Sequence, residues 1–71
     1  MALYVIEKGK SVVVTKGKDS RMSLSSTILE KEKIFMDQDL IKMEDGQYHF
    51  RYHDINYYVA VADVRIVKIK L

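Results

Sequence analysis

Apolar residues recur at every second position along much of this chain, which is the spacing of a β-strand with one buried face. The clearest case is QYHFRYH at residues 47–53, where aromatic and basic side chains alternate. Such alternation directs three side chains to each face of a strand. One face receives Tyr48, Phe50 and Tyr52, and the other receives His49, Arg51 and His53. We expect Phe50 to be buried, and the chain's tyrosines to be divided between a core and a contact surface.

Further strands follow from the same pattern. The β-branched run at residues 11–15, SVVVT, favours a strand because such side chains lose rotamers in a helix. We predict a hairpin turn at residues 7–10, and a tight turn at residues 44–46, where Asp45-Gly46 tolerates positive φ angles. Additional strands are predicted at residues 3–6, 33–36, 40–43, 57–62 and 63–71, with a kink at residues 37–39 and a turn at residues 53–56.

Residues 22–33 allow two interpretations. They form either a loop that ends in a strand or a short helix that begins with a capping box, formed by Ser26 or Thr27 with Glu30. The loop followed by a strand is the preferred interpretation.

The length of the chain limits its architecture. Seventy-one residues make a single domain, residues 1–71, and a domain this small buries only about 60% of its unfolded surface. Cysteine is absent, so disulfides and thiolate zinc sites cannot stabilise it, and we expect a homo-oligomer. The predicted fold class is all-β: a small antiparallel barrel or roll of five to seven short strands.

Two stretches carry a family resemblance. ILEKEKIFM and GQYHFRYHDINYYVAVADVRIV, within residues 28–69, resemble the second half of bacterial Src-homology-three-like (SH3-like) domains. The resemblance implies an SH3-like barrel. Three positions depart from the family pattern: Tyr48 stands in place of tryptophan, and Tyr57 and Glu32 stand in place of glycine.

The motifs of catalysis and metal binding are missing from the sequence. The serines lie in a polar segment without a nucleophile elbow, and we predict no enzyme activity and no cofactor. His49 and His53 would lie about 13 Å apart on a strand, too far to share a zinc ion. The acidic segment 37–45 lacks a calcium-loop pattern. The apolar start, residues 1–6, is too short for a signal peptide or a membrane span, so we predict a cytoplasmic protein without membrane contact.

Two sets of residues are candidates for binding. The first is a ligand or partner surface on the aromatic strands: His49, Arg51, Tyr52, His53, Tyr57 and Tyr58. The second is a basic surface on the terminal strands, opposite the acidic segment 37–45: Lys8, Lys10, Lys16, Lys18, Arg65, Lys68 and Lys70. A basic surface would attract phosphates through counterion release, although lysines on edge strands also prevent sheet aggregation.

These observations favour a non-enzymatic protein that acts by contact with a macromolecule, most simply a protein partner. A phage or mobile-element inhibitor of a host factor is one form of such a protein, by analogy. Two alternatives stay open. One is nucleic-acid binding through the basic terminal strands, and the other is sequestration of a small anionic, nucleotide-like ligand by an oligomer.

Overall fold

The computed structural model describes residues 1–16 and 25–70. These residues contain eight strands and no α-helix, so the predicted all-β class is confirmed. Eight exceeds the expected five to seven, because Ser25–Ile28, in the segment that allowed two interpretations, also forms a strand. The strands are Ala2–Ile6 (β1), Ser11–Lys16 (β2), Ser25–Ile28 (β3), Lys33–Met36 (β4), Leu40–Glu44 (β5), Gln47–Tyr52 (β6), Ile55–Ala60 (β7) and Val64–Lys68 (β8).

The strands form two antiparallel sheets that pack as a small roll. The first sheet has three strands in the order β4-β1-β8, and the second has five in the order β3-β2-β7-β6-β5. Short 3₁₀ segments, Asp37–Asp39 and Val61–Asp63, carry the chain between the sheets. In the described residues, no helix is long and apolar enough to cross a membrane.

Two local predictions need correction. Residues 7–10 do form a turn, in which the Lys10 amide donates to the Glu7 carbonyl, but the turn joins strands of different sheets. The predicted hairpin there is wrong, because β1 pairs with β4 and β8. The helix considered from Ser26 or Thr27 is also wrong, since Ser25–Ile28 is a strand paired with β2. Residues 22–24 of that predicted segment lie outside the described residues.

Two tight turns connect the aromatic strands. Asp45 and Gly46 have φ angles of 55° and 75° between β5 and β6, which confirms the predicted turn. His53 and Asp54 have φ angles of 51° and 62° between β6 and β7. Positive φ at both central residues matches the right-handed twist of a hairpin. His53 therefore lies in the turn, as predicted for residues 53–56, and is not the last residue of the strand; the turn is shorter than predicted, since β7 begins at Ile55.

Between the sheets lies a core that is rich in aromatic rings. Its buried members are Ile6, Val12, Phe35, Tyr48, Phe50 and Val59. Phe50 is fully buried, as predicted, and Tyr48 is buried beside it. The rings come from both sheets, so the core joins segments that are distant in sequence.

Candidate functional site

The outer face of the five-stranded sheet, directed away from the aromatic core, carries a polar cluster on β6 and β7. His49 and Tyr58 are cross-strand neighbours with stacked rings, whose centroids lie 4.5 Å apart. His49 Nε2 lies 2.8 Å from Asn56 Oδ1, and Asn56 is buried. Because the amide oxygen accepts a hydrogen bond, this pairing makes Nε2 of His49 the donor. The histidine thus contacts two residues of the same neighbouring strand, since Asn56 and Tyr58 both lie on β7.

An open cavity of about 370 Å³ lies beside this cluster. Its lining consists of Lys42, Glu44, Asp45, Gln47, His49 and Tyr58. Lys42 and Glu44 form an exposed ion pair. Their hydrogen bond and mutual attraction raise the pKa of Lys42 and lower that of Glu44. With both partners charged, the carboxylate of Asp45 remains uncompensated within this lining, so the cavity presents an acidic surface.

Tyr52 and Tyr57 lie on the inner face of the same sheet. Together with Phe35 they surround the ammonium group of Lys33. The ammonium nitrogen lies 5.3 Å from the ring centroid of Tyr52, 5.1 Å from that of Tyr57 and 5.5 Å from that of Phe35. We call the three rings the aromatic cage. Phe35 is fully buried, Tyr57 is half-buried and Tyr52 is 43% exposed, so the cage opens to solvent on the Tyr52 side.

The structure divides the six residues of the predicted ligand surface. His49, Arg51 and Tyr58 lie on the outer face, whereas Tyr52 and Tyr57 belong to the cage. His53 is exposed in its turn, with its ring edge-on to Tyr52, and Arg51 contacts Asp54 of the same turn. The expected row of His49, Arg51 and His53 is therefore broken after its second member, because the strand ends at Tyr52.

The predicted basic surface is also divided. Arg65 contacts Glu7 at 3.8 Å and Lys10 contacts Asp63 at 3.6 Å, so carboxylates accompany both cations. At the other end of β8, Lys68 pairs in register with Ala2. Lys8 lies in the turn after β1, Lys16 ends β2, Lys70 follows β8, and Lys18 lies outside the described residues.

The first residue of the acidic segment 37–45 does not lie opposite the terminal strands as predicted. The Ala2 amide donates a hydrogen bond to Asp37 Oδ2 at 3.0 Å, so this carboxylate lies directly beside β1. The 3₁₀ segment that follows β4 brings it there, because β4 is the neighbour of β1 in the sheet.

Sequence reasoning missed a third surface, which is the outer face of the three-stranded sheet. Val5 lies opposite Ile34, while Leu3 lies opposite both Met36 and Val67, so all five side chains share one face. Val5 is buried, yet it is not part of the core between the sheets. We call Leu3, Val5, Ile34, Met36 and Val67 the apolar face. Its signal in the sequence was the run of consecutive apolar residues at positions 1–6, which strict alternation does not explain.

No matching family model, curated protein or solved structure was found for this chain. The resemblance to SH3-like domains therefore stays a prediction. Within residues 1–16 and 25–70, no group of three or more His, Asp or Glu side chains is arranged to hold a metal ion.

Proposed function

We propose that this chain is a non-enzymatic binding protein whose apolar face contacts a protein partner. The carrying observation is that five apolar side chains occupy the outer face of the three-stranded sheet. Antiparallel sheets normally cover one face with a core and present polar side chains to water on the other. Ile34 is 48% exposed and Met36 is 43% exposed on this face, so burying them against a partner would be favourable.

The apolar face is smaller than a complete protein–protein interface, so the partner must also contact residues around it. Three strands of about five residues cover roughly 14 by 17 Å, or about 240 Å². A stable interface buries about 800 Å² on each side, so the apolar face would supply only the centre of such an interface. At one end of the face, Arg65 and Glu7 form an exposed charged pair. We assign this pair to the polar rim of the interface, where charges set specificity more than affinity.

Charge supports this proposal over the two alternatives. Lys10 and Arg65 of the terminal basic set lie beside carboxylates, which weakens their attraction for phosphates. The open cavity holds one lysine and two carboxylates, an environment unfavourable to a small anion. The partner is either a second copy of this chain, as the expected homo-oligomer requires, or a different protein.

Site-specific photo-cross-linking in living cells tests the proposal. A photoreactive phenylalanine derivative at position 34 should give a discrete protein adduct. The same group at Met43, which is 61% exposed on the other sheet, is the matched control and should not give that adduct. The mass of the adduct distinguishes a second copy from a different protein. Identical products from both positions, or no product from position 34, would refute the proposal.

A charge substitution provides a second test once the adduct is identified. Ile34→Lys should weaken binding of that protein at least about tenfold, because an unpaired ammonium would be desolvated in the interface. Met43→Lys adds the same charge to an exposed position and should leave binding unchanged. Salt-dependent nucleic-acid binding that Ile34→Lys leaves intact would favour the basic-surface alternative instead.

A further inference from the structure

The aromatic cage contains a cation supplied by the chain itself. Lys33 is the first residue of β4, which is an edge strand of the three-stranded sheet as described. The rings come from three strands, because Phe35 lies on β4, Tyr52 on β6 and Tyr57 on β7. All three ring centroids lie within 5.5 Å of the ammonium nitrogen, inside the range of a cation–π interaction. Folding thus assembles an electron-rich site around one positive charge.

The contacts of Lys33 identify the chemistry that the cage selects. In the part of the chain that the structure describes, Lys33 forms no ion pair with a carboxylate. Its ammonium therefore faces ring surfaces, which attract a positive charge but satisfy N–H groups poorly. A primary ammonium is strongly hydrated and gives up water to enter such a site. A quaternary ammonium has no N–H groups to satisfy, so it suits three ring faces better.

We propose that the aromatic cage is a binding site for an alkylated ammonium group, and that Lys33 is an internal occupant which the ligand displaces. Access is available from the Tyr52 side, where the ring is 43% exposed. Lys33 can leave the cage without a change in the sheet, because its charge is carried on a flexible four-carbon stem. The inference is independent of the apolar face, since Lys33 pairs with Ile6 and points to the opposite side of the sheet.

Displacement of Lys33 makes a prediction about affinity. The ligand must compete with the tethered ammonium of Lys33 in the wild-type chain. Its apparent affinity is therefore lower, because only molecules in which Lys33 has left the cage can bind it. Lys33→Ala removes the competitor and leaves the rings in place. The tetramethylammonium ion should therefore bind Lys33→Ala at least about fivefold more tightly than it binds the wild type, a difference within the energy of one cation–π contact.

The experiment is an NMR titration with tetramethylammonium chloride, with sodium chloride at equal ionic strength as the reference. The ring signals of Tyr52 and Tyr57 should shift, with tighter binding in Lys33→Ala. Adding Tyr52→Leu to Lys33→Ala should weaken binding at least about tenfold, because an exposed wall of the cage is lost. Lys42→Ala and Tyr58→Leu make the same types of change on the outer face, and should leave the titration unchanged.

A measurement on the wild-type chain tests the proposal even if a variant fails to fold. The ε-methylene protons of Lys33 should resonate upfield because they lie near three rings, and saturation with tetramethylammonium should return them to ordinary positions. Folded Lys33→Ala without any ring shift would overturn the proposal. Binding that Tyr52→Leu leaves unchanged would also overturn it, as would Lys33 signals that do not shift when the ion is added.

Discussion

The rings of Phe35 and Phe50 are stacked between the two sheets, with centroids 4.5 Å apart and planes inclined by only 8°. Both side chains are fully buried. Phe35 belongs to the three-stranded sheet and Phe50 to the five-stranded sheet, so this pair connects the two halves of the core. In a domain of this length, the free energy of unfolding is roughly 4–10 kcal/mol, so the burial of a single ring contributes a large part of it.

Phe50→Leu should lower the free energy of unfolding by about 2 kcal/mol, because it removes buried carbons and the stacking contact. Urea unfolding followed by far-ultraviolet circular dichroism measures the change. Met43→Leu, at an exposed position, should change stability by less than about 0.5 kcal/mol. Equal effects of the two substitutions would mean that Phe50 is not part of a packed core.

Gly46→Ala should lower the free energy of unfolding by about 1 kcal/mol. The φ angle of Gly46 is 75°, and a Cβ atom disfavours this left-handed region. An added Cβ would meet no atom within 4 Å, so the cost comes from the backbone alone. Gly46→Asn, which tolerates positive φ, should retain most of the stability in the same urea titration. A loss as large as that of Gly46→Ala would point to another cause.

Substitutions in the turn between β6 and β7 should increase the stability of the protein. His53 and Asp54 adopt positive φ without a glycine, whereas Asn-Gly is the preferred pair for such a turn. His53→Asn combined with Asp54→Gly should raise the free energy of unfolding by about 0.5–1 kcal/mol. The exposed contact of Asp54 with Arg51 is lost, but such pairs contribute little. An unchanged urea midpoint would show that the turn is already relaxed.

Asn56→Leu should lower the free energy of unfolding by about 1–3 kcal/mol, because His49 Nε2 loses its acceptor. Replacing both partners by apolar groups removes the unmet polar group. The double variant His49→Phe with Asn56→Leu should therefore recover part of the loss. The comparison is a double-mutant cycle, and strict additivity of the two effects would exclude the pair as a coupled unit.

Stability should fall in alkaline solution through Tyr4. Partial burial, followed by the negative charge of Asp37, raises the pKa of this phenol above its ordinary value of 10.0. The folded state then holds the proton more tightly than the unfolded state, so this contribution is complete below pH 10 and declines as the pH rises above it. Tyr4→Phe should flatten the decline, and Asp37→Asn should reduce it. A slope that Tyr4→Phe leaves unchanged would assign the alkaline transition to other groups.

Local patterns were sufficient for most of the strands. The alternation around Tyr48 and Phe50 predicted both a strand and the buried side of it, because successive side chains of a strand point to opposite faces. The Asp45-Gly46 turn was also predictable, since its backbone requirement is a property of two adjacent residues. The turn predicted at residues 53–56 does begin at His53, but the predicted strand was one residue too long, because no glycine marks the boundary between strand and turn.

The pairing of strands was beyond local reasoning. Tyr4 lies opposite Phe35 on one side and Ile66 on the other, and nothing near Tyr4 in the sequence specifies these partners. The candidate sites depend on this pairing. Lys33 meets Tyr52 and Tyr57 only because the sheets pack, and the apolar face exists only because β4 and β8 flank β1.

The amino-acid sequence by itself thus determined a small all-β chain, the period of its strands, the Asp45-Gly46 turn and the burial of Phe50. The tertiary structure alone decided which strands are neighbours, and with that the cage around Lys33 and the face around Val5. The physical reason is the distance along the chain over which each interaction acts. Backbone geometry and side-chain alternation act between adjacent residues, whereas hydrogen-bonded pairing and ring packing join residues that only folding brings together.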